Sequence, residues 1–165
     1  MSSNRFLTLI NGVSTLLTAI AASVGVGDAN KIVMTGSDGR LGSTLMPTGV
    51  GAQTTTVTTT EALAAGDWVN VVAAGARKAD NSNGRFANGF VLSAFASGVP
   101  AVVYSSGLNT ARSGLTVGLV YFLGVGGAET LTAPASTPGA IVQILGVALT
   151  ATSVPFDFDP PITIV

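Results

Sequence analysis

Apolar residues near the start of the chain recur in a way that fits two different elements. With a helical period, Phe6, Leu9, Val13, Leu16 and Ile20 are spaced alternately three and four apart, as on the seam of a coiled coil. With a period of two, the same stretch alternates as two strands. The two interpretations predict different partners, because a helix would bundle with copies of itself, whereas a strand pair would lie as an arm on a neighbour.

The Asn11-Gly12 dipeptide in this stretch favours the strands. A tight type I′ turn needs a positive φ at both central residues, and Asn and Gly adopt that conformation readily. A helix would instead place both residues in its interior, where the Gly alone costs about 1 kcal/mol. The sequence therefore predicts a β-hairpin over residues 6–16, and it leaves helix and strand open for residues 17–24.

A second short hairpin is expected in residues 31–41. Lys31–Thr35 contains strand-forming residues, Gly-Ser-Asp-Gly at 36–39 is typical of a turn, and Arg40-Leu41 would begin the return strand. Two hairpins bury little apolar surface between them, and an isolated pair of strands is marginally stable in water. We therefore expect residues 1–52 to form an arm that packs on other subunits or on another protein.

From residue 53 onward, short apolar and β-branched segments alternate with turn residues. The strand candidates are residues 54–60, 68–72, 89–95, 101–104, 117–123, 141–149 and 153–158. Short strands at such regular spacing are typical of a sandwich or small barrel. The predicted fold is all-β: a small β-sandwich or barrel over residues 53–165, preceded by an extended N-terminal arm with short β-hairpins. The apolar C-terminal tail after Pro160-Pro161 is expected to be docked.

Composition gives an independent reason to expect association. Hydrophobic residues make up 47% of the chain and charged residues only 9%, against about 25% charged in an average soluble domain. A surface with so few charges is covered by small polar residues or is buried against other chains. The formal net charge of −1 offers no basic surface for nucleic acid. Polar residues interrupt the charge-free stretch 6–27 too often for a membrane span or a secretory signal.

The residue types that carry most enzyme chemistry are scarce. The chain has no Cys and no His, which excludes disulfides, Ser-His and Cys-His nucleophiles and nearly every zinc or haem site. Asp80 begins a sequence like a calcium loop, but its twelfth position is Val91, where a bidentate Glu is required. We predict no catalytic residue, no metal, no cofactor and no small-molecule substrate. A small hydrolase that uses Asp or Glu alone is the enzymatic alternative.

Aromatic side chains raise a second kind of function. Trp68, Tyr104 and Tyr121 are of the type that lines sugar-binding grooves in small β-sandwiches. Phenylalanines accompany them at alternating strand positions, which favours a core or a subunit interface. Trp68 and Tyr104, with the charged loop of residues 77–85, are the candidate glycan contacts.

Several segments resemble one known family over nearly the whole chain. They include RFLTLINGVSTLL at the start, KIVMTGSDGRL followed by MPTGVGA, then ALAAGDWVNV, SGLTVGLVYFLG and QILGVALTATSVPFDFDPPI. These segments resemble tailed-bacteriophage virion proteins that act as capsid decoration, cement or head-fibre proteins. The resemblance implies a homotrimer on the outer surface of the capsid, whose arm and β-domain bridge neighbouring major capsid proteins.

Apolar residues of the arm are the predicted capsid and subunit contacts. They are Phe6, Leu7, Leu9, Ile10, Val13, Leu16, Ile32, Met34, Leu41 and Met46. The segment from Lys31 to Leu41 is also similar to one in phage fibre proteins. The alternative function is therefore a fibre or spike component, of head or tail, that acts as an adaptor or binds a host glycan.

Overall fold

The computed structural model describes residues 5–29, 31–46, 52–134 and 137–165. The chain divides into two units, Met1–Gly51 and Ala52–Val165, here called the arm unit and the β-domain. The described residues contain no α-helix, only 3-10 turns at Val26–Asp28, Ser43–Leu45 and Asn81–Asn83. All strand pairs are antiparallel ladders. The all-β prediction is therefore confirmed.

The arm unit begins with the predicted hairpin. Strands β1 (Arg5–Ile10) and β2 (Val13–Thr18) pair along their whole length, from Arg5 opposite Thr18 to Ile10 opposite Val13. Asn11 and Gly12 have φ values of 52° and 79°, so both central turn residues take the positive φ that a type I′ turn requires. No described residue between 17 and 24 is helical, so the choice between helix and strand that the sequence left open is decided against the helix.

The second predicted hairpin, in residues 31–41, is wrong. Its turn forms, because Gly39 N–H donates to the Gly36 carbonyl at 3.0 Å, but no strands flank that turn. The backbone on the N-terminal side pairs instead with Ile20, which makes a parallel bridge to Val33. Ile20 N–H donates to Ile32 O, and Met34 N–H donates to Ile20 O, each at 2.9 Å. Across the turn, Gly36 N–H donates to the Arg40 carbonyl at 2.8 Å.

Strands β3 to β14 build the β-domain. They are β3 (Thr54–Thr58), β4 (Trp68–Val72), β5 (Gly75–Lys78), β6 (Gly89–Phe90), β7 (Pro100–Tyr104), β8 (Gly107–Asn109), β9 (Val120–Leu123), β10 (Glu129–Thr130), β11 (Ile141–Val142), β12 (Ile144–Val147), β13 (Val154–Phe156) and β14 (Ile162–Thr163). They form a five-stranded sheet in the order β3-β7-β6-β4-β5, a three-stranded sheet β10-β9-β12, and the pairs β8-β13 and β11-β14.

Two apolar clusters fill the β-domain. Successive side chains of a strand point to opposite faces, and in β4 Trp68 belongs to one cluster while Val69 belongs to the other. The larger cluster joins the five-stranded sheet to β9, β12 and β13 through Tyr121, Leu145 and Phe156. This arrangement of packed sheets fits the predicted sandwich.

The five-stranded sheet does not close into a barrel within the described residues. Its outer strands, β3 and β5, are connected beyond the end of β3 by one parallel bridge, between Thr59 and Ala76. Thr60 N–H donates to the Ala76 carbonyl at 2.8 Å next to that bridge. The sandwich alternative is therefore the one that fits.

The C-terminal tail is docked, as expected. Strand β14 pairs with β11. Ile164 N–H donates to the Ala140 carbonyl at 2.8 Å, and Gln143 Nε2 donates to the Asp159 carbonyl at 2.9 Å. The side chain of Gln143 is buried, so this second contact attaches the tail to the interior of the domain.

Candidate interaction surface

The β1–β2 hairpin carries apolar side chains on both of its faces. Residues directly opposite each other in an antiparallel pair share a face. On one face lie Leu7, Leu9 and Leu16, here called the leucine face, with Arg5 at its open end. Leu7 is 72% and Leu9 is 71% exposed. A monomeric protein rarely leaves such a row of leucines in water, so this face has the character of a contact surface.

The opposite face of the hairpin is also apolar. It carries Phe6 and Val13, both exposed, and the half-buried Leu17, together called the phenylalanine face. Ile10 belongs to β1, but its side chain lies outside the described part of the chain. A two-stranded sheet with two apolar faces buries neither of them alone, so each face can accept a partner.

The hairpin also has two open edges. In the described residues β1 pairs only with β2, and β2 only with β1. The outward N–H and carbonyl groups of an edge strand can hydrogen-bond to another extended chain. Strand addition is therefore open to the hairpin in addition to apolar packing.

The remaining predicted contacts of the arm unit differ in exposure. Ile32, Leu41 and Met46 are exposed, and Met34 is half-buried in the segment that pairs with Ile20. Every predicted arm contact with a described side chain therefore has surface that another protein can reach.

Sequence reasoning missed a second exposed apolar element, the turn of residues 23–28. Val24 and Val26 are 92% and 94% exposed. Asp28 orders this turn, since its carboxylate accepts the Val24 N–H at 2.6 Å and the Lys31 ammonium at 2.5 Å. The Lys31 ammonium and then the Val24 N–H hold the pKa of Asp28 below its ordinary value. Two valines separated by glycine and followed by Asp were the signal in the sequence.

The glycan prediction requires correction at Trp68. The Trp68 ring has no exposed surface and packs on Phe90 and Phe156, with ring centroids 5.7 and 5.2 Å away. A sugar cannot reach it in this conformation, so Trp68 is a core residue. Tyr104 is half-buried and stacks on Phe90 at 5.3 Å. The two candidate contacts therefore do not form a common surface.

The charged loop of residues 77–85 is less exposed than expected. Arg77 and Lys78 belong to β5, and Asn81 is buried. Asp80 caps the Asn81–Asn83 turn, accepting Ser82 N–H at 2.9 Å and, with its other oxygen, Gly126 N–H at 3.1 Å. This carboxylate is occupied in fixing the loop, because both of its oxygens already accept backbone hydrogen bonds.

An open apolar groove of about 350 Å³ lies along β12 and β13. It is lined by Gly107, Ile144, Leu145, Gly146, Pro155, Phe156, Asp157 and Asp159. Strands β12 and β13 approach so closely here that a Cβ on Gly146 would collide with the Pro155 carbonyl oxygen. Gly146 also has a φ of 149°, so the groove depends on glycine at this position.

The groove continues onto an exposed sheet face. In the register of β9 and β12, Ile144 lies opposite Phe122 and Val147 opposite Val120. Val120, Ile144 and Val147 are exposed, and Phe122 is half-buried. The groove and these four residues, which have Ile144 in common, are together called the groove surface, and Asp157 and Asp159 are its acidic lining residues.

Two further kinds of feature are absent from the described residues. Among them, no three His, Cys, Asp or Glu side chains are grouped so that they could hold a metal ion. None of the helical segments in the part of the chain that the structure describes is long and apolar enough to span a membrane. No family model, curated protein sequence or solved structure matches this chain.

Proposed function

We propose that this chain is a structural virion protein of a tailed bacteriophage, a decoration protein that cements the outer surface of the capsid. It would bind as a homotrimer and bridge neighbouring major capsid proteins. The sequence resemblance supports this function. The proposed function requires no catalytic group, no cofactor and no small-molecule substrate.

The observation that carries the proposal is the two-sided apolar hairpin. Leu7, Leu9 and Phe6 are exposed on a sheet of only two strands, and such a sheet is marginally stable without further packing. Covering one fully exposed side chain of this size contributes about 1.5–3 kcal/mol. A shell and neighbouring copies would supply the missing cover.

Weak contacts that are repeated over the whole shell would together stabilise it. A packed genome presses outward on a shell, and a protein that spans two capsomers resists their separation. Each added attachment acts at a high effective concentration once the first is made, so many weak contacts combine into strong binding. Exchange of hairpin strands at open edges would add backbone hydrogen bonds to the apolar contacts.

The test heats capsid shells with and without the protein and records the temperature at which they disrupt. We expect decorated shells to disrupt at a higher temperature. The variant Phe6→Ser/Val13→Ser, altered on the phenylalanine face, should bind shells at least roughly tenfold more weakly, whereas Thr8→Ser on the same face should bind normally. An unchanged disruption temperature for fully decorated shells would reject the cementing role.

The alternative, a fibre component that binds a host glycan, has weaker support. Of its two candidate aromatic contacts only Tyr104 has accessible surface. Binding of the protein to a glycan array, or labelling that locates it on the phage tail, would favour this alternative. Labelling over the head surface with no glycan binding would favour the cement protein.

A further inference from the structure

Two carboxylates that line the groove have no ion-pair partner among the described residues. In the β-domain, Lys78 pairs with Asp67, Arg85 with Glu61 and Arg112 with Glu129. Asp157 and Asp159 have no cationic partner within the described residues, and both line the groove.

A cation lies next to the apolar row of the hairpin. Arg5 is exposed and has no acidic partner among the described residues. It lies at the open end of the leucine face, on the same side of the hairpin as Leu7 and Leu9. The hairpin therefore presents an apolar row that ends in a cation, and the groove surface presents apolar residues together with two carboxylates.

We propose that the leucine face of one copy packs on the groove surface of a second copy, with Arg5 facing Asp157 and Asp159. The proposal rests on the proposed function in that it names the surfaces that would join the homo-oligomer. It leaves the phenylalanine face of the hairpin free for the shell. Charge complementarity between Arg5 and the two carboxylates selects a second copy as the occupant, because each copy carries both surfaces.

This interface joins two different surfaces, so its geometry is heterologous. Such contacts repeat from copy to copy and generate a closed ring when the rotation between copies closes. A ring covers every groove surface and every leucine face at once. Each copy then gives its hairpin to one neighbour and receives a hairpin from another.

The first experiment measures self-association of the full-length protein, without shells, by sedimentation equilibrium. Asp157→Asn/Asp159→Asn should weaken association roughly tenfold or more, because it leaves Arg5 without its partners. The control Ser93→Lys/Ser97→Lys makes the same change in net charge at exposed positions outside the groove, and it should associate like the unaltered protein. Near-UV circular dichroism of the buried Trp68 checks that each variant is folded.

The second experiment separates exchange between copies from closure within one copy. Arg5→Glu and Asp157→Lys/Asp159→Lys are prepared as separate proteins, one of them carrying an affinity tag. Each should fail to associate alone, yet the tagged protein should capture the other from a mixture, because the reversed charges of the hairpin and groove match only across the two proteins.

Two results would overturn the proposal. One is unaltered self-association of the folded Asp157→Asn/Asp159→Asn variant; the other is no capture in the mixture. Neither result depends on shell binding, and a protein that passes both tests yet leaves shells unprotected would instead reject the cementing function.

Discussion

At the scale of single residues, one ion pair of the β-domain lies largely out of solvent. Glu129 is buried beneath Arg112, whose Nη2 donates to Glu129 Oε2 at 2.5 Å, and the indole N–H of Trp68 donates to the same oxygen at 3.2 Å. Nε of Arg112 is buried and has no hydrogen-bond partner. The sequence left Trp68 between a core or interface position and a glycan contact. Its polar partner Glu129 comes from a segment far along the chain and leaves no local signal.

We expect Arg112→Met to destabilise the protein by about 3–5 kcal/mol, because Glu129 would remain as a buried charge without compensation. The check is urea denaturation followed by fluorescence of Trp68, the single Trp of the chain. Arg85→Met is the matched control, since its pair with Glu61 is 3.9 Å long and half-exposed; its loss should change stability by about 1 kcal/mol or less. Equal losses in the two variants would contradict this account.

The turn that presents Val24 and Val26 should respond to pH through Asp28. The pKa of this carboxyl is lowered in the folded protein, first by the Lys31 ammonium and then by the Val24 N–H. Its contribution to the turn is therefore complete above the ordinary pKa of an Asp and is lost as the pH falls through the lowered value. The amide chemical shift of Val24, followed by NMR, should titrate in that acidic window.

Asp28→Asn is the control for the pH response. It should abolish the acidic titration of the Val24 amide and raise its hydrogen exchange at neutral pH, because the charged acceptor is gone. If the Val24 shift of the unaltered protein moves only near neutral pH, Asp28 does not order the turn.

At the scale of elements, local sequence decided some structures and distant pairing decided others. Asn11-Gly12 was sufficient to predict the first hairpin, because the turn type is a property of those two residues. The turn at Gly36–Gly39 gave an equally local signal, but Ile20 pairs with the backbone beside it. Short strands such as β10 and β14 have only two residues each, too few to show an alternating pattern. The groove, formed where β12 meets β13, had no signature in sequence.

Gly146 in β12 is the position where one added methyl group should disturb an element most. We expect Gly146→Ala to destabilise the β-domain by about 3 kcal/mol or more, because the new Cβ meets the Pro155 carbonyl in a conformation that suits glycine. Thermal unfolding measures the loss. Gly118→Ala is the control, since Gly118 has a φ of 83° and a Cβ added there would meet no atom within 4 Å; it should cost about 1–2 kcal/mol.

A Gly146→Ala variant as stable as Gly118→Ala would mean that β12 and β13 can separate without loss. The groove could then change its shape, and that shape would not determine which partner binds.

At the scale of the whole molecule, the two units differ in how they are stabilised. Both apolar clusters lie within the β-domain, whereas most large apolar side chains of β1 and β2 are exposed. The change of composition near residue 53 was visible in the sequence. The sequence did not show which surfaces meet in an assembly, because a contact between chains leaves no periodic pattern in either chain.

Deletion of residues 1–24 should leave the β-domain folded and remove its attachment to shells. The reason is that Trp68, Phe90 and the rest of the larger cluster draw nothing from the deleted strands. Circular dichroism with thermal melting should give an unfolding temperature within a few degrees of the full chain, and co-sedimentation with shells should fall to background. A truncated protein that still decorates shells would place the attachment outside the hairpin.

The open edges of β1 and β2 have a consequence for the protein before it is assembled. An added strand on one side leaves a fresh edge on the other, so nothing in the hairpin itself limits growth into a ribbon. Newly made copies at high concentration would be prone to gel or fibre formation. Under the proposed function, docking on a shell would cover these edges, so the tendency to form fibres should fall once the protein is bound.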